Sequence, residues 1–153
     1  MKKFPKKNTE KKFFIAADHA GFTLKKFLVD ELARLGFKLV DLGCNSSEKS
    51  VDYPDFAKKL SLKINKNSAD LGILICGSGI GISIAANRFK HIRAALCHNI
   101  KSAKSARAHN DANVLCLGAR LINNKSALAI TKAFFVSKFE GGRHEKRVSK
   151  LSQ

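Results

Sequence analysis

The chain has 153 residues, 44% of them hydrophobic and 27% charged, one domain's worth of length with enough apolar side chains for a single core. Lys and Arg number 29 against 12 Asp and Glu, a formal charge of +17. No apolar run approaches the roughly 18 residues of a membrane span, no apolar segment of secretory type follows the basic start, and four Cys without paired spacing fit a reducing compartment. These features lead to the expectation of a soluble, cytoplasmic protein without a membrane partner.

Residues 1–12 hold six Lys against Glu10 with no periodicity, and read as a solvated, mobile extension; residues 13–153 form the expected single domain. Phe13–Ala17 is an apolar run bounded by Asp18, as in a strand buried on both faces. From Gly21 to Leu35 the positions Leu24, Phe27, Leu28, Leu32 and Leu35 have helical spacing, with Gly36 to stop them. Phe37–Leu42 reads as a strand, Asn45 to Asp52 as a loop, and Pro54 opens a helix carrying Phe56, Ala57, Leu60 and Ile64. Leu71–Cys76 is the most apolar strand, followed by Gly77-Ser78-Gly79-Ile80-Gly81 and a small-residue helix through Ala85 and Ala86. Ile92–Cys97, a helix around Ser102–Ala108, Asn113–Leu117 and a helix from about Lys125 to Phe139 follow. Gly141-Gly142 then breaks the chain before a short basic helix. Strands alternating with helices predict an α/β fold with a parallel, five-stranded sheet covered on both faces.

Ligands of such sheets bind outside the carboxyl ends of the strands. Asp18-His19, Gly43, Cys76 to Gly79 and His98-Asn99 each follow a strand, Gly118 to Arg120 follow the last, and His109-Asn110 end the helix before it. The expectation is that these groups converge on one rim. The glycine loop at 77–81 suits an oxyanion or phosphate, because glycines turn tightly and backbone N–H groups gather beside a positive helix end. It lacks the Gly-Lys-Ser/Thr ending of an ATP loop, and the G-x-G-x-G spacing with no acidic ribose partner argues against NAD. Cys76 alone among the cysteines precedes a helix N-terminus, where the dipole favours a thiolate able to act as nucleophile or base. Cys44, Cys97 and Cys116 read as small buried hydrophobes. Neither CxxC nor HxxxH spacing occurs, so no metal site is expected. Lysines facing solvent, as in Ala57-Lys58-Lys59-Leu60, do not by themselves point to nucleic acid; a basic site for an anionic substrate fits the charge better.

Five ordered motifs carry a resemblance: Asp18-His19-Ala20-Gly21, Asp52-Tyr53-Pro54, Ile73 to Gly81, His109-Asn110-Asp111-Ala112-Asn113 and Gly141-Gly142-Arg143-His144. From about Phe13 to Val148 the chain resembles the type B ribose-5-phosphate isomerases, a family that includes the subunits of galactose-6-phosphate isomerase. The resemblance implies a Rossmann-like three-layer α/β/α sandwich in dimers or pairs of dimers. It also implies a cofactor-free interconversion of ribose 5-phosphate and ribulose 5-phosphate in the pentose phosphate pathway. By the same resemblance Cys76 is the base and His109 the ring-opening acid/base, with Asp18 beside it in that role or holding a sugar hydroxyl and His19 next to it. Gly77, Ser78, Gly79, Ile80 and Gly81 form the anion hole, and Asn110 contacts a substrate hydroxyl. Arg120, Arg143 and Arg147 clamp the phosphate, the last two reaching the neighbouring subunit. One branch of the family carries a Glu base just past the loop; Ile82 stands there in this chain, which leaves Cys76. His91, His98 and His144 carry no expected role. Six-carbon phosphosugars and a nucleic-acid module using the Lys-rich tail are the rival readings.

Overall fold

Strands and helices alternate through the described residues, 11–66 and 68–152 of a computed structural model. In order they are β1 (Phe13–Ala17), a 3-10 turn (His19–Gly21), α1 (Phe22–Arg34), β2 (Leu39–Asp41), α2 (Tyr53–Lys63), β3 (Leu71–Cys76) and α3 (Ile80–Ala86). β4 (Ala94–Leu96), α4 (Ile100–Asn110), β5 (Val114–Gly118), α5 (Asn124–Val136), α6 (Arg143–Ser149) and a closing 3-10 turn (Lys150–Ser152) complete the chain. All but two residues of the Lys-rich extension lie outside the described residues. Lys12 already belongs to the domain: its N–H donates to Asp70 and its carbonyl accepts from Leu71. No helix among the described residues is long and apolar enough to cross a membrane.

The five strands are all parallel, in the order β2-β1-β3-β5-β4. Alternation along the central strands divides the interior into two layers. Ile15, Ala17, Ile73, Ile75, Leu115 and Leu117 face α1, α4 and α5, where Leu28, Ala103 and Phe134 meet them. Phe14, Ala16, Leu74, Cys76, Val114 and Cys116 face α2 and α3, against Ala57, Leu60 and Ile82. Each fully buried Leu, Ile or Phe contributes about 1.5–3 kcal/mol, so these two layers outweigh any surface pairing. Lys25, buried on α1, is neutralised by both oxygens of Asp41 at 2.6 Å, which ties that helix to β2.

Three predicted boundaries shift for local reasons. Gly36 at φ 89° lets α1 end in a Schellman turn, with Gly36 N–H on the Ala33 carbonyl and Phe37 N–H on that of Leu32. Phe37 is thereby withdrawn from the edge strand. β4, the other edge, loses Ile92 to a turn closed on Phe89. α5 stops at Val136 because Ser137 is extended and returns both its N–H and its hydroxyl to the Ala133 carbonyl.

The chain leaves β1 for α1 on one face and leaves β3 for α3 on the other. The crevice of an open parallel sheet forms at such a divergence. It lies here between the carboxyl ends of β1 and β3.

Candidate active site

A cleft of about 320 Å³ opens at that place, lined by Asp18, His19, Ala20, Tyr53, Cys76, Gly77, Ser78, Gly81, Arg120 and Leu121. Asp18 is buried; it receives the Gly21 N–H on its carboxylate at 3.1 Å, capping the turn that follows β1. His19 accepts the Val51 N–H at Nδ1, so in the neutral ring Nε2 carries the proton. Cys76 is 4% exposed and its sulfur accepts the Gly79 N–H at 3.1 Å. An N–H donor on sulfur binds a thiolate more strongly than a thiol. Gly79 stands at φ 76°, packed on Leu96 and Leu117 so closely that a Cβ would lie 2.5 Å from Leu96.

Two glycines of the loop make room for neighbours. A Cβ on Gly77 would stand 2.8 Å from an Arg120 guanidinium nitrogen, and one on Gly81 would stand 2.5 Å from the Tyr53 ring. The loop backbone therefore lets a cation and a phenol approach the same cleft. The exits of β3 and β5 are joined by Ala119 N–H on the Cys76 carbonyl and Arg120 N–H on that of Gly77, both at 2.9 Å. Ser78 accepts the Ile80 N–H on its hydroxyl, while the Ile80 side chain points to solvent. Ile82, fully buried, offers no titratable group.

The other cysteines behave as spectators. Burial pushes the Cys116 thiol well above its ordinary range, with Cys76 and Cys97 adding to the effect. Burial also raises Cys97, against a weaker opposing bond from Ser102. Cys44 is buried and donates to the Ser46 carbonyl.

The structure corrects one expectation. His109 and Asn110 do not share the rim with Cys76 in the same chain. α4 starts at the carboxyl end of β4 and its eleven residues run about 16 Å back to the start of β5, leaving these two at the opposite end of the sheet. Arg143 and Arg147 lie on α6, which packs against α4, and are exposed there. Asp111, at φ 45°, closes α4 between Arg93 and Arg107, at 3.0 and 2.8 Å. Two residues went unassigned in the sequence. Tyr53 lies within one of the five motifs yet 28 positions before Gly81, and only folding brings them together. His144, buried, stacks on His109 with ring centroids 4.6 Å apart.

Comparison with known proteins places this arrangement. The profile of the ribose/galactose isomerases matches residues 13–151. The chain belongs to that family. It is 50% identical over 137 residues to a Rickettsia conorii protein named as a sugar phosphate isomerase, covering 90% of this chain and 94% of that one. A ribose 5-phosphate isomerase structure from Thermotoga maritima superposes with a TM-score of 0.89 at 48% identity, covering 94% and 97% of the two chains. A Mycoplasma genitalium ribose-5-phosphate isomerase B, solved with bound ribulose-5-phosphate, superposes at 0.88 and 44% identity, covering 93% and 94%. The Rossmann-like α/β/α sandwich expected from the resemblance is the fold of this family member.

Proposed function

We propose that the chain is a ribose-5-phosphate isomerase of type B, converting the aldose to ribulose 5-phosphate and back through an enediolate. The carrying observation is the single titratable sulfur at the head of the glycine loop, in a cleft that also holds a buried carboxylate and a guanidinium. In the forward direction the furanose opens by moving a proton from the anomeric hydroxyl to the ring oxygen. The Cys76 thiolate then takes the C2 proton, and the C–H electron pair becomes the C1=C2 bond of the enediolate. Loop N–H groups not already engaged by Cys76 and Ser78, together with the Ser78 hydroxyl as donor, stabilise the charge that develops on oxygen. Cys76 returns its proton to C1 while the O2 proton passes to O1, which leaves the ketose and the thiolate, with no net oxidation and no cofactor required.

One copy holds the base and lacks the ring-opening group on the same rim. We place the partner's His109 and Asn110 over the cleft, with the partner's Arg143 and Arg147 on the phosphate opposite Arg120. A two-fold dimer pairs the unlike ends of two copies and forms two identical sites. Planar guanidinium forks suit phosphate oxygens, and three of them leave a neutral sugar little reason to bind. Direct turnover of ribose 5-phosphate, compared with allose 6-phosphate and galactose 6-phosphate, tests the reading. Faster turnover of a six-carbon substrate would move the assignment to that branch, and binding of RNA without any turnover would end it.

A further inference from the structure

His109 belongs to a cluster with Glu140 and His144, two residues with no role in the reading above. One carboxylate oxygen of Glu140 lies 3.9 Å from Nε2 of His109 and 3.8 Å from Nε2 of His144. The two imidazoles are stacked, 15° from parallel. His144 is 8% exposed, whereas the His109 side chain is 44% exposed. The Glu140 N–H donates to the Ala108 carbonyl, so the carboxylate is carried by backbone that is bonded to α4 itself.

Two histidines and a glutamate are also a zinc donor set. Imidazole lone pairs lie in the ring plane, however, and two nearly parallel stacked rings direct theirs along two separate planes that do not meet at one ion. The stack suits a different task. It holds the plane of the half-buried His109 ring by contact with the buried one, and the carboxylate, 3.9 Å from Nε2, acts on its edge by electrostatic attraction.

Resting on the isomerase reading, we infer that His144 and Glu140 are positioning residues that hold the His109 ring in the orientation from which it moves the ring-opening proton. Burial lowers the His144 pKa, and His109, Arg143 and Arg147 lower it further against the opposing pull of Glu140. Protonation of His144 is thereby disfavoured, and the Glu140 carboxylate lies as near to His109 as to His144. Neither residue touches the sugar; both act through His109.

The test is steady-state turnover of ribose 5-phosphate by the full chain and by His144→Ala, His144→Phe and Glu140→Gln, each checked for intact thermal unfolding. A misplaced acid/base group costs up to about 100-fold in rate. The expected result is a kcat loss of about 10- to 100-fold in His144→Ala, with KM within about two-fold, and recovery of most of that loss by the flat ring of His144→Phe. Glu140→Gln keeps the shape and loses the charge, and should lower kcat less than His144→Ala. A rise in KM with unchanged kcat overturns the inference, because His144 then only anchors α6 and its arginines. Equal kcat in all four proteins overturns it too. If the unaltered chain fails to turn over ribose 5-phosphate, the isomerase reading falls and takes this assignment with it; the variants overturn the assignment alone.

Discussion

The two ends of the sheet differ in a way that a single list of site residues conceals. At the carboxyl end a concave cleft holds a buried thiol, a buried carboxylate and a tight glycine loop. At the amino end, half-buried His109 and exposed Asn110 close α4, with exposed Arg143 and Arg147 on the adjoining α6. In the proposed dimer the two ends have complementary tasks: one is assigned proton abstraction, the other ring opening and the phosphate. A two-fold dimer that set one copy's cleft against the other copy's amino end would complete two such sites, and the predictions below test that division.

The largest effect belongs to the cleft. Cys76→Ser should lose about 10²–10⁴ in kcat, the usual cost of a general base, equivalent to about 2.7–5.4 kcal/mol of barrier. Cys44→Ser, remote in role though also a buried thiol, should stay near full activity. Iodoacetamide should inactivate at Cys76 and be blocked by substrate, while Cys97 and Cys116 stay unlabelled because burial keeps them as thiols. Retention of more than about a tenth of the activity by Cys76→Ser would move the base elsewhere, with Asp18 the next candidate.

The division itself is tested by mixing. If the halves belong to different copies, Cys76→Ser and His109→Ala should each be nearly inactive alone and regain activity together. A hybrid dimer has one site with both residues intact and one with neither, so an equal mixture after subunit exchange should approach about a quarter of the unaltered turnover. No recovery after demonstrated exchange would show that both residues serve the same chain's site.

Smaller losses are expected from the arginines. Arg143→Ala or Arg147→Ala removes a charge-assisted pair with phosphate, a bond of about 1.5–3 kcal/mol, and should raise KM by about 10- to 100-fold with unchanged unfolding. A fall in kcat at constant KM would remove them from the phosphate.

How much of this was legible from the sequence follows the same line. Leu71–Cys76 is apolar on both faces and was found to the residue, because a central strand is buried whichever neighbours it has. The order β2-β1-β3-β5-β4 was not readable, since burial records that a strand has neighbours and not which ones. Edge strands β2 and β4 shrank for the same reason: with one partner each, Phe37 and Ile92 were drawn into turns by nearby carbonyls. Cys76, Asp18 and Arg120 were found as residues at strand exits, a rule of local order. His109 was singled out by motif and expected at the wrong end, because a helix between parallel strands carries its last residue back to the opposite side. Tyr53 and His144 lie within the motifs but carried no role there; one is recognised by the space Gly81 leaves, the other by a stack formed across the α4–α6 contact.

The smallest predicted effect concerns stability at the amino end. The His144 pKa is lowered from 6.5 by removal from water and by His109, Arg143 and Arg147. In the window just below 6.5 the unfolded chain therefore binds a proton at this position that the folded chain resists. Stability from this group is fully present above that range and declines as the pH falls through it, because the unfolded state takes up more protons. Unfolding midpoints measured near about pH 7.5 and about 5.5 should thus fall on acidification, and His144→Phe, which keeps the stacked ring and removes the titration, should fall less. The cleft supplies the control: Cys76→Ser leaves the amino end untouched and should follow the unaltered chain at both values. If His144→Phe and the unaltered chain lose stability equally, the buried imidazole accepts its proton without penalty, and the acid sensitivity belongs to another group.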